Sequence, residues 1–364
     1  MSVGVALIVR DEETTLAACL ESIRAGVDEI VVVDTGSVDG TKEVARRYTE
    51  RIFEFAWIDD FAAARQFAFE RVASDWVCWI DADERVRGAE HLPELIARAG
   101  PEVGGFHWRQ VSARDAWGAP RFTFWRERCV RNDGSYHWAG RVHEVLIPWE
   151  GASKREIVRV PEILIEHRQS ERGVSRDPRR NVRILEAMVA DRPSPRDLYY
   201  LAREYADLGE PDNAVASFER YCAVATWDDE RYLAWTQVAG LHRAARRFDA
   251  AIDADLQALK VYPHWPDAYF GLAESCYFLR EWGKVIHWIE LARTLPEPDT
   301  PLFRDRHRTE FAWIIHYTNA LSHLGRVIEA LAWTRTALGI DPDDRWHREN
   351  LRVFSAQVLT PGRR

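Results

Sequence analysis

What this chain holds little of narrows what it can be. Its 364 residues include five cysteines, Cys19, Cys78, Cys129, Cys222 and Cys276, an odd number, scattered and never spaced C-x-x-C. That pattern excludes a disulfide framework and a cysteine zinc site, and reads as the reduced, mostly buried thiols of a cytoplasmic protein. No apolar run reaches the ~18 residues of a membrane-spanning helix. The opening "MSVGVALIVRDEETT" has a short apolar run without a basic flank, which reads as a first strand and not as a signal peptide. A basic excess is missing too. The net charge is -9, which leaves no electrostatic footprint for nucleic acid and no attraction to an anionic membrane.

What remains is the composition of a globular protein, 46% hydrophobic and 29% charged, long enough for two domains with a core each. Tryptophan is abundant, at 16 residues. Its indole stacks on sugars and partner proteins, and it also fills helical-repeat cores.

The first ~165 residues alternate strand and helix by their apolar period. Gly4 to Val9, "EIVVV" (29–33), Arg51 to Phe55 and Trp76 to Ile80 are unbroken apolar strands. Glu13 to Ala25, a helix with Thr41 as N-cap and Val44 to Tyr48 inside, and "FAAARQFAFERVA" join them. Continuous apolar strands joined by helices imply a parallel sheet covered on both faces. Ligands of such sheets bind beyond the carboxyl ends of the strands. There stand "RDEE", "DTGS" and "DADE".

Beyond about Asp177 strand signals cease and helical hairpins repeat. Leu201, Ala202, Tyr205, Gly209, Ala214 and Phe218 stand at the offsets of a tetratricopeptide repeat. Ala239, Ala251, Ala258 and Pro263 continue the phase; Ala273, Val285 and Ala292 follow, then Gly325, Ala330, Ala337 and Pro342. Small residues let paired helices approach, and glycine and proline punctuate the turns. A generic helical bundle is the plainer alternative.

The chemistry gathers in the first half. Asp81 and Asp83 form D-x-D at a strand end, hard oxygen donors suited to Mg2+ or Mn2+ carrying substrate phosphates. Such an ion neutralises a departing diphosphate. A solvated acidic turn capping the next helix is the alternative. Glu84 is expected to start the next turn and face Arg85 or Arg87. Arg65 in "AAAR" suits a diphosphate, because guanidinium matches phosphate oxygens; pairing with Asp59 or Asp60 is the other reading.

The stretches "VALIVRDEETTLAACLESI", "DEIVVVDTGSVDGT", "WIDDFAAARQFAFERVASDW", "WIDADE" and "YHWAGRVHEVL" together resemble family 2 glycosyltransferases of the GT-A fold. With the added repeats, the chain looks like the SunS-like subgroup of bacterial family 2 enzymes, which takes peptide acceptors. The resemblance implies an α/β GT-A domain, Rossmann-like with a mostly parallel sheet, over 1–175, and an all-α tetratricopeptide-like repeat domain over 176–364. It implies that Asp34 contacts the nucleotide base, that Asp81 approaches the ribose or metal, and that Asp83 is the main metal ligand. Asp34 capping its own turn is the alternative. Asp11 and Glu13 belong to the nucleotide pocket, with Arg65 near the nucleotide or its phosphates and Arg141 on the nucleotide-sugar. Relatives carry Asn where Asp11 stands and Asn where Gln66 stands. Inverting transfer needs a carboxylate base. Glu144 is the candidate for that base, with His143 orienting it or linked to the metal; Glu144 pairing with Arg141 or His143 is the structural alternative. The resemblance makes His167 a candidate third metal ligand; a structural histidine at a strand end is the alternative. Trp108, Trp125 and Trp138 are sugar-stacking candidates, each also a candidate for core packing.

The expected activity is metal-dependent inverting transfer from a nucleotide-diphosphate sugar, UDP-linked, with Mn2+ or Mg2+ as cofactor. The acceptor is a peptide or protein side chain, and a cell-surface saccharide or lipid-linked glycan is the alternative. The repeats either hold the acceptor or form a homodimer; no nucleic acid and no transmembrane segment are expected. A nucleotidyltransferase would show glycine after the first strand, and "RDEETTLAACL" has none. A non-catalytic repeat scaffold with a degenerate transferase domain is the third reading, against which the intact acids stand.

Overall fold

The computed structural model describes residues 1–114, 120–152, 155–168, 177–300, 302 and 307–359. The chain divides into two compact units, Met1–Ile184 and Leu185–Arg364. The division expected between 175 and 176 falls at the edge of the stretch 169–176, outside the described residues.

The first unit opens with the expected alternation: β1 (Val3–Val9), α1 (Leu16–Ile23), β2 (Glu29–Asp34), α2 (Thr41–Ala45), β3 (Ile52–Glu54), α3 (Phe61–Phe69) and β4 (Trp76–Trp79). It continues with β5 (Glu84–Arg87), α4 (Leu92–Arg98), β6 (Val103–Arg114), β7 (Pro120–Arg131), β8 (Tyr136–Ala139), β9 (Val145–Pro148) and β10 (Glu156–His167). Eight strands form one sheet in the order β3-β2-β1-β4-β7-β6-β10-β5, and β8 pairs with β9 separately. The half β3-β2-β1-β4 is parallel. β7 runs antiparallel to both β4 and β6, β10 runs parallel to β6, and β5 antiparallel to β10.

β1, the middle of β2, and β4 are continuously apolar because both faces of the sheet are covered there. On β1, Val3, Val5, Leu7 and Val9 enter one core with α1, α2 and α4, while Ala6 faces the other with α3, β8 and β9. β4 splits likewise, Trp76 and Cys78 against Val77 and Trp79. Side chains alternate across a strand, so a run of consecutive buried residues serves two layers.

Two local expectations are corrected. Thr41 does not cap α2: Gly40 is the N-cap, and the buried Thr41 hydroxyl accepts from the Glu12 N–H at 2.7 Å and donates to Asp39. It ties the turn after β1 to the turn after β2. α2 also ends at Ala45, with Arg46 as its C-cap and turn hydrogen bonds carrying Arg47, Tyr48 and Thr49.

α5 (Arg180–Asp191) spans the division between the units. The second unit then runs α6 (Pro195–Asp207), α7 (Pro211–Val224), α8 (Asp228–Ala244), α9 (Phe248–Val261), α10 (Asp267–Phe278), α11 (Trp282–Ala292), α12 (Trp313–His323), α13 (Val327–Ile340) and α14 (Arg345–Leu359). Successive helices pack as hairpins, α6 on α7 through α12 on α13, with α14 closing on α13. The small positions anticipated for a repeat, among them Ala202, Ala214, Ala239, Ala251, Ala258, Ala273, Ala292, Ala330 and Ala337, are at most 2% exposed. The turns α6–α7, α8–α9, α10–α11 and α12–α13 each carry one left-handed residue: Gly209 (φ +73°), Arg246 (+58°), Arg280 (+61°) and Gly325 (+79°). The motif is an all-α repeat of the tetratricopeptide kind.

Candidate active site

β1, β2 and β4 share a direction and a register, with Val9 beside Asp34 and Ala6 beside Trp79. Asp11, Asp34 and Asp81 therefore leave the sheet at one edge, beyond its carboxyl ends. The turns there are sewn together. Asp11 Oδ1 accepts from the Val38 N–H at 2.8 Å, and Glu13 Oε2 from the Gly40 N–H at 2.7 Å. Asp34 is buried; its Oδ1 accepts from the N–H groups of Gly36 and Ser37, both at 2.9 Å, while Oδ2 is buried with no hydrogen-bond partner. Gly36 sits at φ +107°, which only glycine adopts cheaply, and this lets the turn fold back onto Asp34. So Asp34 caps its own turn with one oxygen, and the other is left without a hydrogen-bond partner among the described residues.

Arg65 projects from α3, whose N-cap is Asp60 through the Ala63 N–H. Arg65 does not pair with Asp59 or Asp60. Its Nη2 donates to Asp81 Oδ1 at 2.7 Å and its Nε to Glu144 Oε1 at 2.6 Å. Glu144, on the loop between β8 and β9, therefore pairs with neither Arg141 nor His143. Arg141 instead holds the loop by donating to the main-chain oxygens of Asp59 and Ile58. One buried guanidinium thus joins the strand-four acid to the candidate base. Burial opposes its charge, but the two carboxylates outweigh burial and hold Arg65 above its ordinary value. Burial also opposes ionisation of Asp81, yet Arg65, Arg128 and Arg126 together hold its carboxyl well below the usual range. Asp81 keeps its side chain 34% exposed.

The expectation for Glu84 is overturned. Its carboxylate faces inward, at 1% exposure, and not toward Arg85 or Arg87. Arg128 grips both of its oxygens at 2.8 Å, and Oε2 also accepts from the Asp81 N–H at 2.9 Å. Arg128 comes from β7, which lies beside β4 in the sheet, so the partner was distant in sequence but adjacent in space. Asp83 is fully buried, and His167 Nε2 lies 2.8 Å from its Oδ2. β5 pairs with β10 so that Glu84 stands opposite His167, which brings the imidazole to Asp83. Burial lowers the His167 pKa, but the Asp83 carboxylate more than reverses that and leaves it raised. Among the described residues no group of three or more His, Cys, Asp or Glu is placed to hold a metal ion.

Two further arginines that the sequence reading passed over complete the site. Arg128 lies 3.8 Å and Arg126 4.7 Å from the Trp79 ring, with Arg65 at 4.6 Å. Their alternation along a charged strand was the available signal. Trp108 and Trp138 are core residues, Trp138 packing edge-on against Phe69 and Trp79; Trp125 is half-buried, with the Arg159 guanidinium over its ring. Asp11 (φ +53°), Asp59 (+56°) and His143 (+52°) are left-handed without being glycine. Strained backbone of this kind gathers at functional sites.

Residues 5–137 match the model of Glycosyl transferase family 2. Lipopolysaccharide core biosynthesis glycosyltransferase LpsC of Rhizobium meliloti is 34% identical over 155 residues, covering 39% of this chain and 56% of that protein. The SPbeta prophage-derived glycosyltransferase SunS of Bacillus subtilis is 25% identical over 215 residues, covering 57% of this chain and 50% of SunS. A TPR repeat-containing protein of Synechococcus elongatus is 42% identical over 84 residues, or 23% of this chain and 21% of its own. The chain spans between 21% and 56% of the length of these relatives.

Proposed function

We propose that this chain, whose N-terminal unit carries a family 2 glycosyltransferase domain, moves a sugar from a nucleotide-diphosphate donor, UDP-linked, to an acceptor with inversion. The observation that carries the reading is the Asp81–Arg65–Glu144 chain beyond the ends of the parallel strands. It holds a donor-side acid and a candidate base in one fixed geometry. The buried, unpartnered Asp34 Oδ2 takes an N–H of the base. Asp11 and Glu13 shape that pocket by holding the second turn. Glu144 is the acceptor's base: among the described residues only its Oε1 is engaged, which leaves Oε2 for the proton.

Asp81 and Asp83 would hold Mn2+ or Mg2+, with His167 holding Asp83 in place through its Nε2 and not completing a three-residue site. The fit rests on donor chemistry: two carboxylates suit a hard ion that takes its remaining ligands from water and substrate phosphate, so no three-residue cage is required. Bound there, the ion supplies charge neutralisation for the departing diphosphate.

A peptide or protein side chain is the preferred acceptor, held by the repeats, because a helical-repeat solenoid offers an extended groove. The likeness to LpsC favours a second reading, a saccharide or lipid-linked glycan acceptor. Hydrolysis of a panel of nucleotide-sugars, with and without Mn2+, tests the donor side and needs no acceptor. Turnover of one donor is the expected result. Absence of both turnover and nucleotide binding across the panel leaves the degenerate-scaffold reading in its place.

A further inference from the structure

Three guanidinium groups surround the Trp79 ring, and they are not equivalent. Arg65 is matched by Asp81 and Glu144, and Arg128 by Glu84. Arg126 has no carboxylate within ion-pair distance among the described residues. Its Nη2 donates to the main-chain oxygen of Glu144 at 3.1 Å, which uses one of the five N–H donors an arginine carries. It is half-buried on the indole, in company with two other cations. Arg126 and Arg128 stand two positions apart on β7, so strand alternation puts both on the face that meets the Trp79 ring. The Trp79 N–H, donating to the Glu127 main-chain oxygen at 2.8 Å, fixes the ring against that strand.

We propose that Arg126 is the residue that takes the diphosphate of the donor, through the N–H donors its protein contacts leave free. The inference rests on the nucleotide-diphosphate reading given above. Arg65 is the arginine that sequence suggests for this task, but its charge is already answered by two carboxylates, which take two of its five N–H donors. Arg126 reaches the loop that carries the candidate base through the Glu144 main-chain oxygen, and lies against Trp79, two residues before the acid Asp81. Guanidinium grips phosphate with paired hydrogen bonds, and an ammonium meets it as a point charge.

Calorimetric titration of the full chain with UDP and with uridine tests this. In R126A the affinity for UDP falls about tenfold or more, on the scale of a lost charge-assisted hydrogen bond, while uridine binds as before. R126K, which keeps the charge and the length, restores part of the UDP affinity. Unchanged UDP affinity in R126A overturns the inference. So does an equal loss for uridine and UDP in both variants, which marks Arg126 as a packing residue. A wild-type chain that binds none of UDP, GDP, CDP and dTDP brings down the donor reading itself, and the inference with it.

Discussion

Asp81, Asp83 and Glu84 stand within four positions of one another, and each has a basic partner of its own: Arg65, His167 and Arg128. Of the three, only Asp81 presents a substantially exposed side chain. Breaking a buried ion pair leaves a charge without compensation. Arg128→Ala therefore destabilises the chain by about 3–5 kcal/mol, measured by urea denaturation; a loss under about 1 kcal/mol, the range of an exposed pair, contradicts the buried assignment. Asp83→Asn, which keeps the volume of this fully buried side chain, abolishes donor turnover; normal turnover in a steady-state assay removes Asp83 from the donor site. Glu144→Gln keeps donor binding and slows transfer about 100-fold or more, and unchanged transfer in a steady-state assay would falsify the base assignment.

At the scale of elements, strand ends and turns decide the chemistry. The β8–β9 hairpin carries Glu144 on its loop, with His143 left-handed just before it. In the second unit, four equivalent turns need a left-handed residue, and two of them use Arg246 and Arg280 in place of glycine. Glycine there relieves a steric cost of about 1–2 kcal/mol and returns part of it as unfolded-state entropy. The variants R246G and R280G are each expected to stabilise by up to about 1 kcal/mol, read as a higher denaturation midpoint with an unchanged slope. A lower midpoint shows that the arginine side chain contributes more than its backbone costs. The parallel strands were legible because each is an unbroken apolar run. β6 and β7 were not, because Arg109, Arg126, Glu127 and Arg128 interrupt their apolar pattern, and they do so because the sheet there builds the site.

At the scale of the molecule, two units of different grammar share one chain, and no helix among the described residues is long and apolar enough to cross a membrane. A ligand that binds only the folded chain raises its stability by mass action, about 2.7 kcal/mol at a hundredfold excess over Kd. The matching nucleotide diphosphate is therefore expected to raise the thermal midpoint by about 2–4 °C for a chain of this size, seen by differential scanning fluorimetry across a nucleotide panel. A flat panel at millimolar concentrations counts against a donor site.

By itself the sequence determined the two fold classes, the parallel strands, the small-residue phase of the repeats and the clustering of Asp11, Asp34 and Asp81 at one edge. These follow from local periodicity and from the direction a parallel strand imposes on its ends. Only the tertiary structure decided which cation answers which acid. Arg65 and Glu144 lie 79 residues apart, and Glu84 meets Arg128 because β7 inserts beside β4. "DADE" announced a charge to be neutralised. The order of strands in the sheet, which no residue period encodes, supplied the arginines and the histidine that neutralise it, and left Arg126 without a carboxylate of its own among the described residues.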